Sequence, residues 1–117
     1  PNAGFRGYPV RIRFCRGDRS ETDDMIIGVL KLQVSVFDSF SLKDKRRIIK
    51  SLKDRIHHTF FVSIAEVEHQ DSIRTSILGV ALVTNEKRFA DSVLSKIVDF
   101  VRRIPQLSLV DYEIELL

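Results

Sequence analysis

The feature that most constrains this chain is a hydrophobic period that changes four times. Ile26, Gly28, Leu30, Leu32, Val34 and Val36 alternate with Lys31, Gln33 and Ser35. A period of two lays one face of an extended strand against a core. The period then lengthens: Leu42, Ile48, Ile49, Leu52, Ile56 and Phe60 fall on one side of a helix. Ser41 stands ahead of them, where its hydroxyl can accept a free amide of the first turn. Val62 to Glu68 returns to extended chain and Gln70-Asp71-Ser72 interrupts it. Ser76 to Thr84 reads as a third strand, apolar on both faces. Thr84 or Asn85 caps a second helix, with Phe89, Val93, Ile97, Val101 and Ile104 on its buried side and Pro105 ending it. Leu107 to Leu116 is the last strand, with Val110, Tyr112, Ile114 and Leu116 inward and Asp111, Glu113 and Glu115 outward.

The order βαββαβ implies an α+β, ferredoxin-like arrangement. Right-handed crossovers put both helices on one face of a four-stranded antiparallel sheet and leave the other face open. With 117 residues there is room for one domain and a core that needs no staples. Residues 25–117 are read as that domain. Residues 1–24 hold three of the five glycines, two of the three prolines and five arginines, and are read as a flexible N-terminal extension. Val10-Arg11-Ile12-Arg13-Phe14 alternates, so an added edge strand is the other reading of that stretch. Met25 looks like a natural start of the domain.

Charge is unevenly distributed. Residues 41–60 hold seven Lys/Arg against two Asp, whereas the rest of residues 25–117 holds seven Lys/Arg against ten Asp/Glu. Wound at 100° per residue, Lys43, Arg46, Arg47, Lys50, Lys53 and His57 form one arc beside the apolar stripe. Such an arc suits the phosphates of a nucleic-acid backbone, although a solvated charged face is the commoner role of a charge run. Lys45 falls inside the apolar arc. It is expected to snorkel out from the first turn. The alternative is that its ammonium meets Glu66, Glu68 or a ligand's anion at the sheet end.

Glu66, Glu68, His69 and Asp71 gather around the end of the second strand. Strict alternation sends both glutamates to one face and His69 to the other, so no metal site is expected; a His–Asp hydrogen bond at the hairpin end is. His57 and His58 close the first helix, where imidazolium suits the negative end of the dipole. No apolar run is long enough for a membrane helix, no signal peptide is read, and Cys15 alone excludes an internal disulfide. The expected location is cytoplasmic.

Enzyme signals are sparse: no phosphate loop, glycine-rich dinucleotide turn or nucleophile elbow occurs. Acylphosphatases share the topology, but their glycine-bracketed loop has no counterpart here. RNA-recognition motifs also share it, but they stack bases on strand aromatics, and Ser76–Thr84 has none. If RNA is bound, the first helix must bind it.

Four blocks together resemble the YlxP-like family of small bacterial proteins: Ile27-Gly28-Val29-Leu30, Ser41 through Arg47, Val62 through Asp71, and Leu78-Gly79-Val80-Ala81. The resemblance spans about residues 25–117. It implies a ferredoxin-like domain of unknown function whose genes often neighbour those for transcription, translation initiation and ribosome maturation. It supplies no catalytic residues and no cofactor.

The expectation is therefore a non-enzymatic RNA- or ribosome-associated protein that uses Lys43, Arg46, Arg47, Lys50 and Lys53. The alternative is a homo-oligomeric regulatory or scaffold module that binds a protein or small metabolite. In that reading the apolar open sheet face pairs two copies, and Lys45, Glu66, Glu68, His69 and Asp71 serve a ligand or pair with one another.

Overall fold

The computed structural model describes residues 25–117. The N-terminal extension, its alternating stretch at 10–14 and Cys15 lie outside the described residues. The elements are β1 (Ile26–Val36), α1 (Leu42–Phe60), β2 (Ser63–Glu68), β3 (Thr75–Thr84), α2 (Lys87–Arg102) and β4 (Leu107–Leu116). The sheet runs β2-β3-β1-β4 and every pairing is antiparallel. This is the ferredoxin-like α+β fold.

The alternation in β1 is realised residue by residue, with Leu30, Leu32 and Val34 fully buried and Lys31 exposed. Their partners Leu78 and Val80 on β3 join Ile49, Leu52 and Ile56 of α1 and Leu94, Ile97 and Val101 of α2 in one core. Each such side chain contributes about 1.5–3 kcal/mol of transfer free energy. Gly28 lets α2 settle on the strand. A Cβ there would lie 3.1 Å from Leu94 Cδ1 and 3.3 Å from the Ala90 Cβ.

Capping explains the helix ends. Ser41 Oγ accepts the Asp44 amide at 3.1 Å. The chain leaves α1 at Phe61 in the left-handed region (φ 55), its N–H donating to His57 O. α2 starts differently from expectation. Glu86 occupies the N-cap without a side-chain bond, and Thr84 Oγ1 accepts the Glu86 amide at 3.3 Å.

Three inward assignments are corrected. Val110 and Tyr112 are exposed for different reasons. At Val110 the register slips between Gln33 and Val34: Val34 pairs with Leu109 and Gln33 with Asp111. Val110 is thus the extra residue of a β-bulge, which breaks strict alternation. Tyr112 regains the inner phase opposite Leu32, but on an edge strand, where Arg102 lies 5.5 Å from its ring centroid. Phe89 is half exposed, while Ala90 is fully buried. The small residue occupies the close approach to Gly28, and Phe89 is carried outward by one helical step. β3 is apolar on both faces as read, yet on the open side Ile77 is buried and Val83 is exposed.

Candidate nucleic-acid interface

Lys43, Arg46, Arg47 and Lys50 are exposed on α1 and Lys53 is half-buried. From Lys43 to Lys53 the helix rises about 15 Å, and the five cations stay within about 120° of its circumference. Two of them are tied to acids of the same helix. An Arg47 guanidinium nitrogen lies 3.4 Å from Asp44 Oδ1, and Lys50 Nζ lies 3.0 Å from Asp54 Oδ2. Both pairs face solvent, where such contacts are worth little and exchange readily for other anions. The Lys50 hydrogen bond holds the Asp54 carboxyl below its ordinary range. Lys43, Arg46 and Lys53 form no direct ion pair among the described residues, and the Lys53 charge adds to the lowering of the Asp54 carboxyl. Arg55, the remaining exposed cation of α1, points elsewhere: its guanidinium carbon sits 5.3 Å from the Phe100 ring centroid.

Tertiary structure adds two residues that helical projection misses. Arg74, at the threshold of β3, donates from Nε to Ser39 O at 3.1 Å, and its guanidinium carbon lies 5.6 Å from the ring of the exposed Phe40. Nothing local in the sequence joins them. The clamp between the β1–α1 turn and the β2–β3 hairpin does.

The second cluster departs from expectation. Lys45 does not snorkel; its side chain is fully buried. Its ammonium donates to Glu66 Oε2 at 2.6 Å, to His69 O at 2.8 Å and to Gln70 O at 3.3 Å. Ser76 Oγ donates to the same Glu66 oxygen at 2.6 Å. The alternative reading, an ammonium meeting Glu66, is the correct one. The first turn of α1 lies over the β2–β3 hairpin, so that side of the helix has no path to water.

Glu66 and Glu68 do not share a face. Glu66 pairs with Leu78 and Glu68 with Ile77, with Val67 as the bulged residue between them. Glu66 therefore turns to the helices, while Glu68 on the open side meets Lys31 at 3.6 Å. His69 takes a left-handed conformation (φ 63) and its Nδ1 lies 3.3 Å from Thr75 Oγ1, so the hairpin end is not closed by the expected bond to Asp71. Among the described residues no group of His, Cys, Asp and Glu is arranged to hold a metal. At the other end of α1, His57 Nδ1–H donates to Val62 O at 2.9 Å and His58 Nδ1–H to Asp54 O at 2.8 Å. Both histidines are occupied in ending the helix.

The open sheet face carries Val29, Ala65, Val67, Gly79 and Ala81 around a shallow concavity of about 340 Å³. Asp111, Glu113 and Glu115 lie toward its β4 edge, opposite Gln33, Lys31 and Val29. A second apolar cleft of about 530 Å³ lies at the C-terminal end of α1, lined among others by Phe61, Val83 and Phe89. No helix among the described residues is long and apolar enough to cross a membrane.

A family model described as a protein of unknown function, DUF503, matches residues 27–114. The chain is also 28% identical over 82 residues to a Bacillus subtilis (strain 168) protein described as uncharacterized protein YlxP. That alignment covers 70% of this chain and 89% of the relative.

Proposed function

This chain belongs to the DUF503 family of proteins of unknown function, and from that premise we propose that it is a non-enzymatic RNA-binding protein acting at or near the ribosome. One observation carries the reading. Five cations share one helical arc, and three of them, Lys43, Arg46 and Lys53, form no direct ion pair among the described residues. Contacts of this kind position a polyanion through its phosphates and read little sequence. The two remaining cations, Arg47 and Lys50, are paired weakly enough to be recruited.

The test is the salt dependence of binding. With about five single-strand phosphates neutralised, log affinity for RNA falls with log salt at a slope of roughly −3 to −4. A Lys43→Glu, Arg47→Glu, Lys50→Glu variant loses binding and elutes earlier from a polyanion column. Salt-independent binding, or an unaltered triple variant, refutes the reading.

The apolar open face supports a second reading, a homo-oligomeric module in which Val29, Ala65, Val67 and Ala81 meet a second copy. Sedimentation equilibrium at tens of micromolar, about the range in which a weak symmetric dimer forms, decides it; a monomer there counts against it.

A further inference from the structure

Phe40 sits directly before the Ser41 N-cap with 74% of its surface exposed. A hydrophobic residue in that place commonly packs on the fourth residue of the helix. Here that residue is Lys45, whose side chain runs inward to Glu66, so this staple has no second half. The backbone around the ring is nevertheless held firmly. Ser39 is fully buried and its hydroxyl donates to Ile73 O at 2.8 Å. Arg74 Nε donates to Ser39 O, and the Phe40 amide donates to Asp44 Oδ2 at 3.3 Å.

Asp44 also ties the Phe40 backbone to the cationic helix. One carboxylate oxygen takes the Phe40 amide and the other takes the Arg47 guanidinium. Phe40 therefore stands at the N-terminal end of the cationic arc, its ring against Arg74 and its backbone amide sharing the Asp44 carboxylate with Arg47. Phe61 is still more exposed, at 85%, but it lines the apolar cleft at the other end of α1, away from these arginines. Among the described residues, Phe40 joins a strongly exposed ring on a firmly held backbone to the start of the cationic arc.

We infer that Phe40, backed by Arg74, is a stacking platform for an unpaired base of single-stranded RNA whose phosphates lie along Lys43, Arg46, Arg47 and Lys50. This rests on the reading of α1 as a phosphate-contacting face and adds the substrate class. A π-face accepts any base, so the platform selects strand state rather than sequence. Bases stacked inside a duplex cannot reach it.

Fluorescence anisotropy with three probes tests this: a short labelled oligouridylate, an RNA duplex of the same length, and inorganic polyphosphate as competitor. Oligouridylate is chosen because its bases stack weakly on one another. Phe40→Ala and Phe40→Leu weaken oligouridylate binding roughly five- to a hundredfold, Phe40→Trp retains it, and all three variants keep wild-type affinity for duplex and polyphosphate. Leucine keeps the apolar area without the π-face, so it separates stacking from simple burial. Thermal melts confirm that each variant is folded. Wild-type oligouridylate affinity in Phe40→Ala, with loss in the Lys43→Glu, Arg47→Glu, Lys50→Glu variant, overturns the platform and leaves the cationic face standing. Equal losses on all three probes also overturn it. If the triple variant binds like wild type, the phosphate-contacting face falls and the platform with it.

Discussion

At the scale of single residues, two lysines on one helix have opposite fates. Lys45 is fully buried and donates three hydrogen bonds, while Lys50, five residues on, is exposed and paired with Asp54. Removing one partner of a buried pair costs more than the pair is worth, because the other charge stays behind without compensation. Lys45→Met is therefore expected to destabilise the fold by about 3–5 kcal/mol in urea titrations. The double variant Lys45→Met, Glu66→Gln recovers part of that loss. Wild-type stability in Lys45→Met alone would show the network to be dispensable.

Lys50 acts on Asp54 in the other direction. Its hydrogen bond keeps the Asp54 carboxyl below the usual aspartate range, so Lys50→Ala moves the Asp54 midpoint upward in an NMR titration. A group with a depressed folded pKa stabilises the fold above its unfolded pKa, and that contribution fades as pH falls through the folded value. The pair's contribution is therefore present at neutral pH and lost in acid. Asp54→Asn frees Lys50 and tightens polyanion binding at low salt, which the same anisotropy assay reads.

At the scale of elements, the α1 cap and the periods are legible in the sequence, whereas the N-cap of α2 at Glu86 and the bulges are not. Ser41 before Leu42 announced the start of α1, and its hydroxyl does accept the Asp44 amide. Ser41→Ala is expected to cost about 1 kcal/mol, measured by the shift in denaturation midpoint. Gly28 reads as an ordinary member of an alternating strand, and only the packing of Ala90 and Leu94 over it reveals why no side chain is there. Gly28→Ala overpacks that contact and should lower stability by roughly 1–3 kcal/mol; an unchanged melting temperature would show that α2 yields freely. Val67 and Val110 break the alternation of β2 and β4. A period-two pattern carries no mark of an inserted residue, because bulges are set by how two strands share twist and curvature. Strict alternation therefore puts Glu66 and Glu68 on one face and turns Val110 inward, and the bulges undo both.

At the scale of the whole molecule, cations gather on α1 while Asp111, Glu113 and Glu115 line the far edge of the sheet. The ion pairs on α1 are exposed and contribute little to stability, whereas any polyanion contact would be screened strongly. Raising salt from low to about physiological ionic strength is thus expected to leave the melting temperature nearly constant while RNA retention collapses. A melting temperature that falls in step with binding would mean that the surface pairs hold the fold together.

The sequence by itself determined the order of elements, the strands of the sheet, the apolar stripe of each helix and the cationic arc of α1. These are local: each follows from the period and chemistry of residues near one another in the chain. Tertiary structure alone decided that Lys45 is enclosed, that Glu66 answers it while Glu68 turns away, and that Arg74 comes to stand beside Phe40. Those outcomes depend on which surfaces lie over one another after the β2–β3 hairpin packs beneath α1, and residues more than twenty positions apart carry no mutual signature in a single sequence.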